Sequence, residues 1–159
     1  MAENTKEKNK ERIEQKESKK EYVFAVGRRK EAVARVRLYQ TDNISWNGIV
    51  VNKGDIFVNK KKAEDYFGEG NTNVYREPLH ITNTENKFAI TVLAQGGGKV
   101  GQLDATTLGI ARALDEFDKE KFHSILKKRG LFTRDARVRE RRKVGMGGKA
   151  RRRKQSPKR

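Results

Sequence analysis

The hydrophobic pattern of this chain fades at Gly130, and the charge-dense segment around and beyond that point sets a hard limit on how much of the chain can fold. From Lys127 to Arg159 the sequence carries sixteen Lys and Arg against Asp135 and Glu140, a net of +14 out of the whole chain's +17. A segment so charged and so poor in apolar side chains repels itself and builds no core. Order must come to it from a densely negative partner, and a polyphosphate backbone is the natural one. A solvated tail without a fixed partner is the plain alternative. Against it stand Arg129, Arg134, Arg137, Arg139, Arg141, Arg142 and Arg151 to Arg153. Arginine's planar fork binds phosphate bidentately and stacks on bases, whereas lysine would serve solubility alone.

The other end narrows the foldable part further. Residues 1 to 21 mix Lys and Glu in almost equal number, with Ile13 as the one large aliphatic besides Met1. Such a polyampholyte buries too little apolar surface to offset the entropy of ordering, so a disordered or weakly helical extension is expected. It has no hydrophobic h-region, and its six glutamates argue against an organellar transit peptide. Roughly 110 residues remain, enough for one domain with one modest core. The absence of Cys excludes disulfides and thiolate metal sites and suits a reducing cytosol. His80 and His123 lie too far apart in sequence to look like metal ligands. No stretch approaches the roughly 20 apolar residues of a membrane span.

Within the foldable part, periodicity predicts strands at Tyr22 to Gly27 and Val33 to Tyr39. In the second, Val36 and Leu38 alternate with Arg35 and Arg37, so that one face packs while the other presents cations. Turn signals at Asp42-Asn43, Asn47-Gly48 and Lys53-Gly54 flank a β-prone run at Ile49 to Val51. A strand at Asp55 to Val58 leads to a short helix, Ala63 to Phe67, stopped by Gly68 and Gly70. Pro78 predicts an edge strand or loop around it rather than a helix. Lys87 to Gln95 is apolar or neutral on both faces, as a central strand requires. Leu103, Thr107, Ile110, Leu114 and Phe117 then recur at helical spacing, and Asp118 is placed to cap a second helix running through Lys128.

Gly96-Gly97-Gly98-Lys99-Val100-Gly101 fits the dinucleotide fingerprint G-x-G-x-x-G between a strand and a helix. That fold needs a further parallel strand after the helix, ending in an acid for the ribose, and here a second helix comes next instead. Glycines that permit a tight strand-to-helix turn and the close approach of another backbone are the preferred reading. Such a turn also offers backbone amides to an RNA phosphate. No phosphate loop, nucleophile elbow or H-E-x-x-H helix occurs. With four serines and no Cys, a nucleophile-and-base constellation has little material. No catalytic residue, metal site or cofactor is expected.

Several blocks in order resemble the bacterial-type small-subunit ribosomal protein nine family: Gly27-Arg28-Arg29-Lys30, Ala34-Arg35-Val36, Tyr66-Phe67-Gly68, Pro78-Leu79, Gly96-Gly97-Gly98, Gly101-Gln102 and Ala111-Arg112-Ala113-Leu114. The likeness continues through Thr133-Arg134-Asp135-Ala136-Arg137, Arg142-Lys143-Val144-Gly145 and Lys149-Ala150-Arg151-Arg152-Arg153 to Lys158-Arg159. This resemblance implies an α+β fold: a two-layer α/β sandwich like the second domain of small-subunit ribosomal protein five, with a left-handed βαβ crossover and an extended basic C-terminal tail. General handedness rules favour the opposite hand, so that detail rests on the resemblance alone. The expected organisation is a charged extension over 1–21, a globular RNA-binding domain over 22–130 and a basic tail over 131–159.

The implied place is the head of the small ribosomal subunit, in the cytoplasm, on small-subunit ribosomal RNA and beside neighbouring head proteins, with no membrane and no homo-oligomer. The RNA-binding residues expected are Arg28, Arg29, Lys30, Arg112, Lys128, Arg129, Arg134, Arg137, Arg139, Arg141, Arg142, Lys143, Lys149, Arg151, Arg152, Arg153 and Lys154. Lys158 and Arg159 would approach the transfer RNA in the peptidyl site. Three features depart from the family: the longer start before Tyr22, an apparent insertion at Thr41 to Asp55, and the ending Lys154-Gln155-Ser156-Pro157-Lys158-Arg159, where the family reads Pro-Gln-Phe-Ser-Lys-Arg. A free nucleic-acid-binding regulator would share the basic tail, and a nucleotide-dependent enzyme would instead carry a bound cofactor.

Overall fold

The computed structural model describes residues 22–141. Its first two strands, β1 (Tyr22–Arg29) and β2 (Ala32–Tyr39), form a hairpin whose turn places Lys30 at φ 51°. A small second hairpin, β3 (Ile44–Trp46) and β4 (Ile49–Val51), comes after it. Asn47 and Gly48 turn it with φ of 52° and 82°. Positive φ at both central residues suits the right-handed twist of a two-residue hairpin. Next come β5 (Ile56–Val58), β6 (Lys61–Lys62), α1 (Ala63–Phe67), a turn of 3-10 helix and α2 (Thr72–Ile81). The last elements are β7 (Ala89–Gln95), α3 (Lys99–Phe117) and α4 (Lys119–Lys128).

The main sheet has the order β1-β2-β7-β5-β6. All its pairings are antiparallel except β5 with β7, whose connection runs through α1 and α2. The apolar run at 87 to 95 thus occupies the middle strand, buried on both faces as expected. Val36 and Leu38 of β2, Ile56 and Val58 of β5, and Ile90 and Val92 of β7 point to one face. They meet Phe67 of α1, Tyr75 and Leu79 of α2, Ile110 and Leu114 of α3 and Leu126 of α4 in the principal core. All four helices lie on that side. The opposite face carries a second, smaller cluster in which Trp46 and Val51 of the β3–β4 hairpin cover Tyr39, Phe57 and Ala89. The segment that read as an insertion is therefore a flap over one end of the sheet.

Pro78 overturns one expectation: it lies inside α2 rather than in a strand or loop. Having no N–H, it leaves the Val74 carbonyl without its helical donor. The Thr107 hydroxyl of α3 lies 3.3 Å from that oxygen and 3.1 Å from Leu103 O, so a neighbouring helix makes up the loss. Tyr75, Pro78 and Leu79 form the buried stripe at helical spacing, a pattern outweighed in the sequence by the proline. At the other junction Asp118 caps α4 as expected, its carboxylate accepting from the Lys121 N–H at 3.2 Å.

The glycine motif is a packing device. Gly96 and Gly97 have φ of 71° and 60°, and a Cβ on Gly96 would stand 2.4 Å from the Glu31 carbonyl in the β1–β2 turn. The turn is held by a chain of hydrogen bonds: Gln102 Nε2 donates to Gly96 O at 3.0 Å, and Tyr66 OH donates to Gln102 Oε1 at 2.7 Å. Asn59 in turn donates to Tyr66 OH at 3.1 Å and to Ala94 O at 2.8 Å. After α3 the chain enters α4, so the further strand of a dinucleotide fold does not appear there.

Candidate nucleic-acid interface

The basic residues sort into those consumed inside the protein and those left facing outward. Arg29 belongs to the first group. Its position on β1 points it toward the helical side, where its side chain is only 14% exposed. The guanidinium donates from Nε to Asp104 on α3 at 3.4 Å, and from Nη1 to the backbone carbonyls of Asp135 at 3.2 Å and Arg137 at 2.9 Å. Its Nη2 lies 3.0 Å from the Asp135 carboxylate. A single arginine therefore ties the first strand, the long helix and the start of the basic tail together, using the fork geometry that lysine lacks.

Asp135 completes this knot. It accepts from the Arg137 backbone N–H at 2.9 Å and from the Arg137 guanidinium at 2.6 Å. The Arg137 hydrogen bonds, reinforced by the Arg29 charge, hold its carboxyl well below the usual carboxylate range. The Arg137 guanidinium is correspondingly raised by the same partner. An acid inside a basic tail is thus a fastening point. Leu131 and Phe132 add an apolar one: both pack against the principal core, and Phe132 stacks on His123 with ring centres 5.2 Å apart. His123 is itself oriented by Asp115, 2.8 Å from its Nδ1.

Arg112 and Arg129 are also engaged. Arg112 reaches from α3 to donate to Val26 O on β1 at 2.9 Å, and Arg129 donates to Glu77 on α2 at 2.9 Å. By contrast Arg28, Lys30, Lys128, Arg134, Arg139 and Arg141 are exposed and have no ion-pair partner among the described residues. Arg28 and Lys30 stand at the β1–β2 corner, on either side of the Arg29 knot from which the tail departs. The fastening of Asp135 and the Arg137 carbonyl to Arg29 therefore starts the exposed cations of residues 134–141 from the corner that carries Arg28 and Lys30. Arg142, Lys143, Lys149, Arg151, Arg152, Arg153, Lys154, Lys158 and Arg159 lie outside the described residues. Sequence reasoning did not foresee the bracing roles of Arg29, Arg112 and Asp135; a lone acid between arginines was the available signal.

A mixed-sheet α+β domain that fastens one end of an arginine-rich segment and leaves, among the described residues, a set of unpaired cations facing outward has the build of a structural protein that rests against a polyanion. The sequence profile of the family described as ribosomal protein S9/S16 matches residues 27–159. A curated relative, small ribosomal subunit protein uS9 of Maridesulfovibrio salexigens, is 47% identical over 130 residues, covering 81% of this chain and 91% of the relative. The chain belongs to the ribosomal protein S9/S16 family.

Proposed function

We propose that this protein is the uS9 constituent of its ribosome, binding ribosomal RNA in the head of the small subunit and extending its C-terminal tail toward the transfer RNA in the peptidyl site. As a family member it is an RNA-binding structural component of the small ribosomal subunit, working in translation in the cytoplasm. The observation that supports the finer reading is the knot at Arg29 and Asp135, which fixes the point where the tail leaves the body. From Lys143 to Arg159 an extended chain reaches about 55 Å at roughly 3.3 Å per residue, enough to carry Lys158 and Arg159 into a distant crevice. Residues 1–21 and 131–159 flank the domain as its charged extension and its basic tail, the first residues of which, to Arg137, are held by the body while RNA orders the remainder. Neighbouring head proteins, rather than a second copy of the chain, are its protein partners. The β5-to-β7 connection is proposed to make the left-handed crossover, and NMR distance restraints that put α1 and α2 on the other side of that strand pair would refute it.

Contacts of this kind position the chain rather than read base sequence. With on the order of 10 phosphates neutralised, the logarithmic salt slope of RNA binding is about −7 to −9. Deleting Lys158 and Arg159 leaves fold and subunit assembly intact but weakens transfer-RNA binding to the peptidyl site of purified subunits; unchanged binding defeats the tail assignment. Charge reversal at Arg28 and Lys30 impairs incorporation, read by sedimentation and occupancy.

A further inference from the structure

The sheet face turned away from the helices carries a charge that nothing within the described residues balances. Strand register places Phe24, Arg37, Thr91, Phe57 and Lys62 in one row across it, Val26, Arg35 and Leu93 in the next, and Arg28, Val33 and Gln95 in a third. These rows hold four cations and no acid. The flap of β3 and β4 shelters only the end with Tyr39, Phe57 and Ala89. Toward β1 the face stays open: Phe24 is 42% exposed, Arg28 and Arg35 are exposed, and the Arg37 guanidinium lies 5.0 Å over the Tyr22 ring.

An exposed aromatic ring between unpaired guanidinium groups costs stability in the free protein, since like charges repel and apolar surface stays wet. It matches what a single-stranded RNA segment offers: a base with a π-face for Phe24 and phosphates for the cations. Alternate residues along a strand stand about 7 Å apart, a spacing on the scale of successive nucleotides in an extended chain. The protein's own first 21 residues are a poor complement, because their six glutamates are matched by seven Lys and Arg. We infer that the open face of β1 and β2 is a second RNA-binding surface, on which a base of a single-stranded ribosomal RNA segment stacks on Phe24 while its phosphates meet Arg28 and Arg35. This rests on the RNA-binding role proposed for the chain and adds to it a sheet surface that runs from the Arg28 corner, where the tail departs, to Phe24.

The test installs a photoreactive benzoylphenylalanine at position 24 of the full chain, and in a second variant at the exposed Val138 of the tail base, and irradiates purified small subunits. Adducts from both positions to ribosomal RNA support the inference. An adduct from 138 but none from 24, or an adduct from 24 to a neighbouring protein or to the chain's own first residues, overturns it while leaving the tail reading standing. No RNA adduct from either position removes both. Independently, F24L lowers affinity of the full chain for small-subunit ribosomal RNA on the order of ten-fold, and R28Q/R35Q reduces the magnitude of the salt slope by about 1.5. Unchanged affinity and slope in these surface variants, with thermal unfolding as in the unmodified protein, overturn the inference.

Discussion

Gly27→Ala tests the tightest of the described glycine positions. Gly27 sits on β1 at a core-facing position, and α3 crosses it at Ala105 and Gly109. A methyl group there would stand 1.8 Å from the Ala105 carbonyl oxygen and 2.6 Å from the Gly109 nitrogen, both backbone atoms that cannot swing aside. Restoring the 3.4 Å of ordinary contact requires the helix to lift by about 1.6 Å. A gap of even 0.5–1 Å forfeits roughly a quarter to a half of the dispersion energy of the atoms it separates. The lift would open the seam where Ala25, Ala34 and Val36 meet Ala105, Ile110 and Ala111, all buried. Strain of this kind costs about 3–5 kcal/mol, a large part of the roughly 5–15 kcal/mol that holds a domain together. In a domain of this size the melting temperature falls on the order of 15 °C. Equilibrium urea unfolding of the full chain, followed by far-UV circular dichroism, measures the free-energy loss, and a thermal scan by the same signal measures the shift in melting temperature. Gly101→Ala is the control: its added methyl meets only Ala32 Cβ at 3.5 Å and Arg29 O at 3.6 Å, and helix propensity alone predicts a gain of roughly 0.5–1 kcal/mol. If Gly27→Ala lies within about 1 kcal/mol of the parent protein, the reasoning about this seam is wrong.

Three further perturbations probe other joints. Leu126→Ala removes the one fully buried side chain of α4 and is expected to cost about 3 kcal/mol in the same urea assay. Thr107→Val withdraws the hydroxyl beside the Val74 carbonyl and costs about 1 kcal/mol, and Pro78→Ala in that background recovers part of it by restoring the helical donor. The Asp135 contribution is fully present above the ordinary carboxylate value of 3.8 and is lost as the pH falls from there through the lowered folded value. An NMR titration of the Arg137 amide tracks it, and Asp135→Asn removes that pH dependence.

Local chemistry made most elements legible. Alternation in β2 and the two-sided apolar run of β7 arise from burial on one or both faces, and the Asp118 cap from its place before an apolar stripe. Two features escaped for identifiable reasons. At Pro78 the loss of a donor is a local fact, whereas Thr107, its remedy, lies 33 residues from Val74 and on another helix. The value of the 41–55 segment as a flap depended on Tyr39, Phe57 and Ala89, on three strands that sequence does not place side by side. The family resemblance carried the functional reading further than periodicity could, yet many residues behind it, such as Tyr66, Gln102, Gly96 and Gly97, prove to hold the fold together.

The same distinction decides what a cation is for. Arg28 and Arg29 are adjacent, equally charged and indistinguishable by composition, yet strand alternation sends Arg28 to the open face and Arg29 into the knot with Asp104, Asp135 and the Arg137 carbonyl. Arg29→Lys keeps the charge but replaces a rigid fork serving four acceptors with one flexible ammonium. It should therefore raise amide hydrogen exchange over 133–137 and reduce incorporation into the small subunit, while changing the salt slope of RNA binding little. Arg28→Gln should instead lower the magnitude of the slope by about 0.7–0.9 and leave exchange at the tail base unaltered. Were charge alone at work, the lysine variant would behave as the parent protein in both assays, and the fastening role of Arg29 would have to be abandoned.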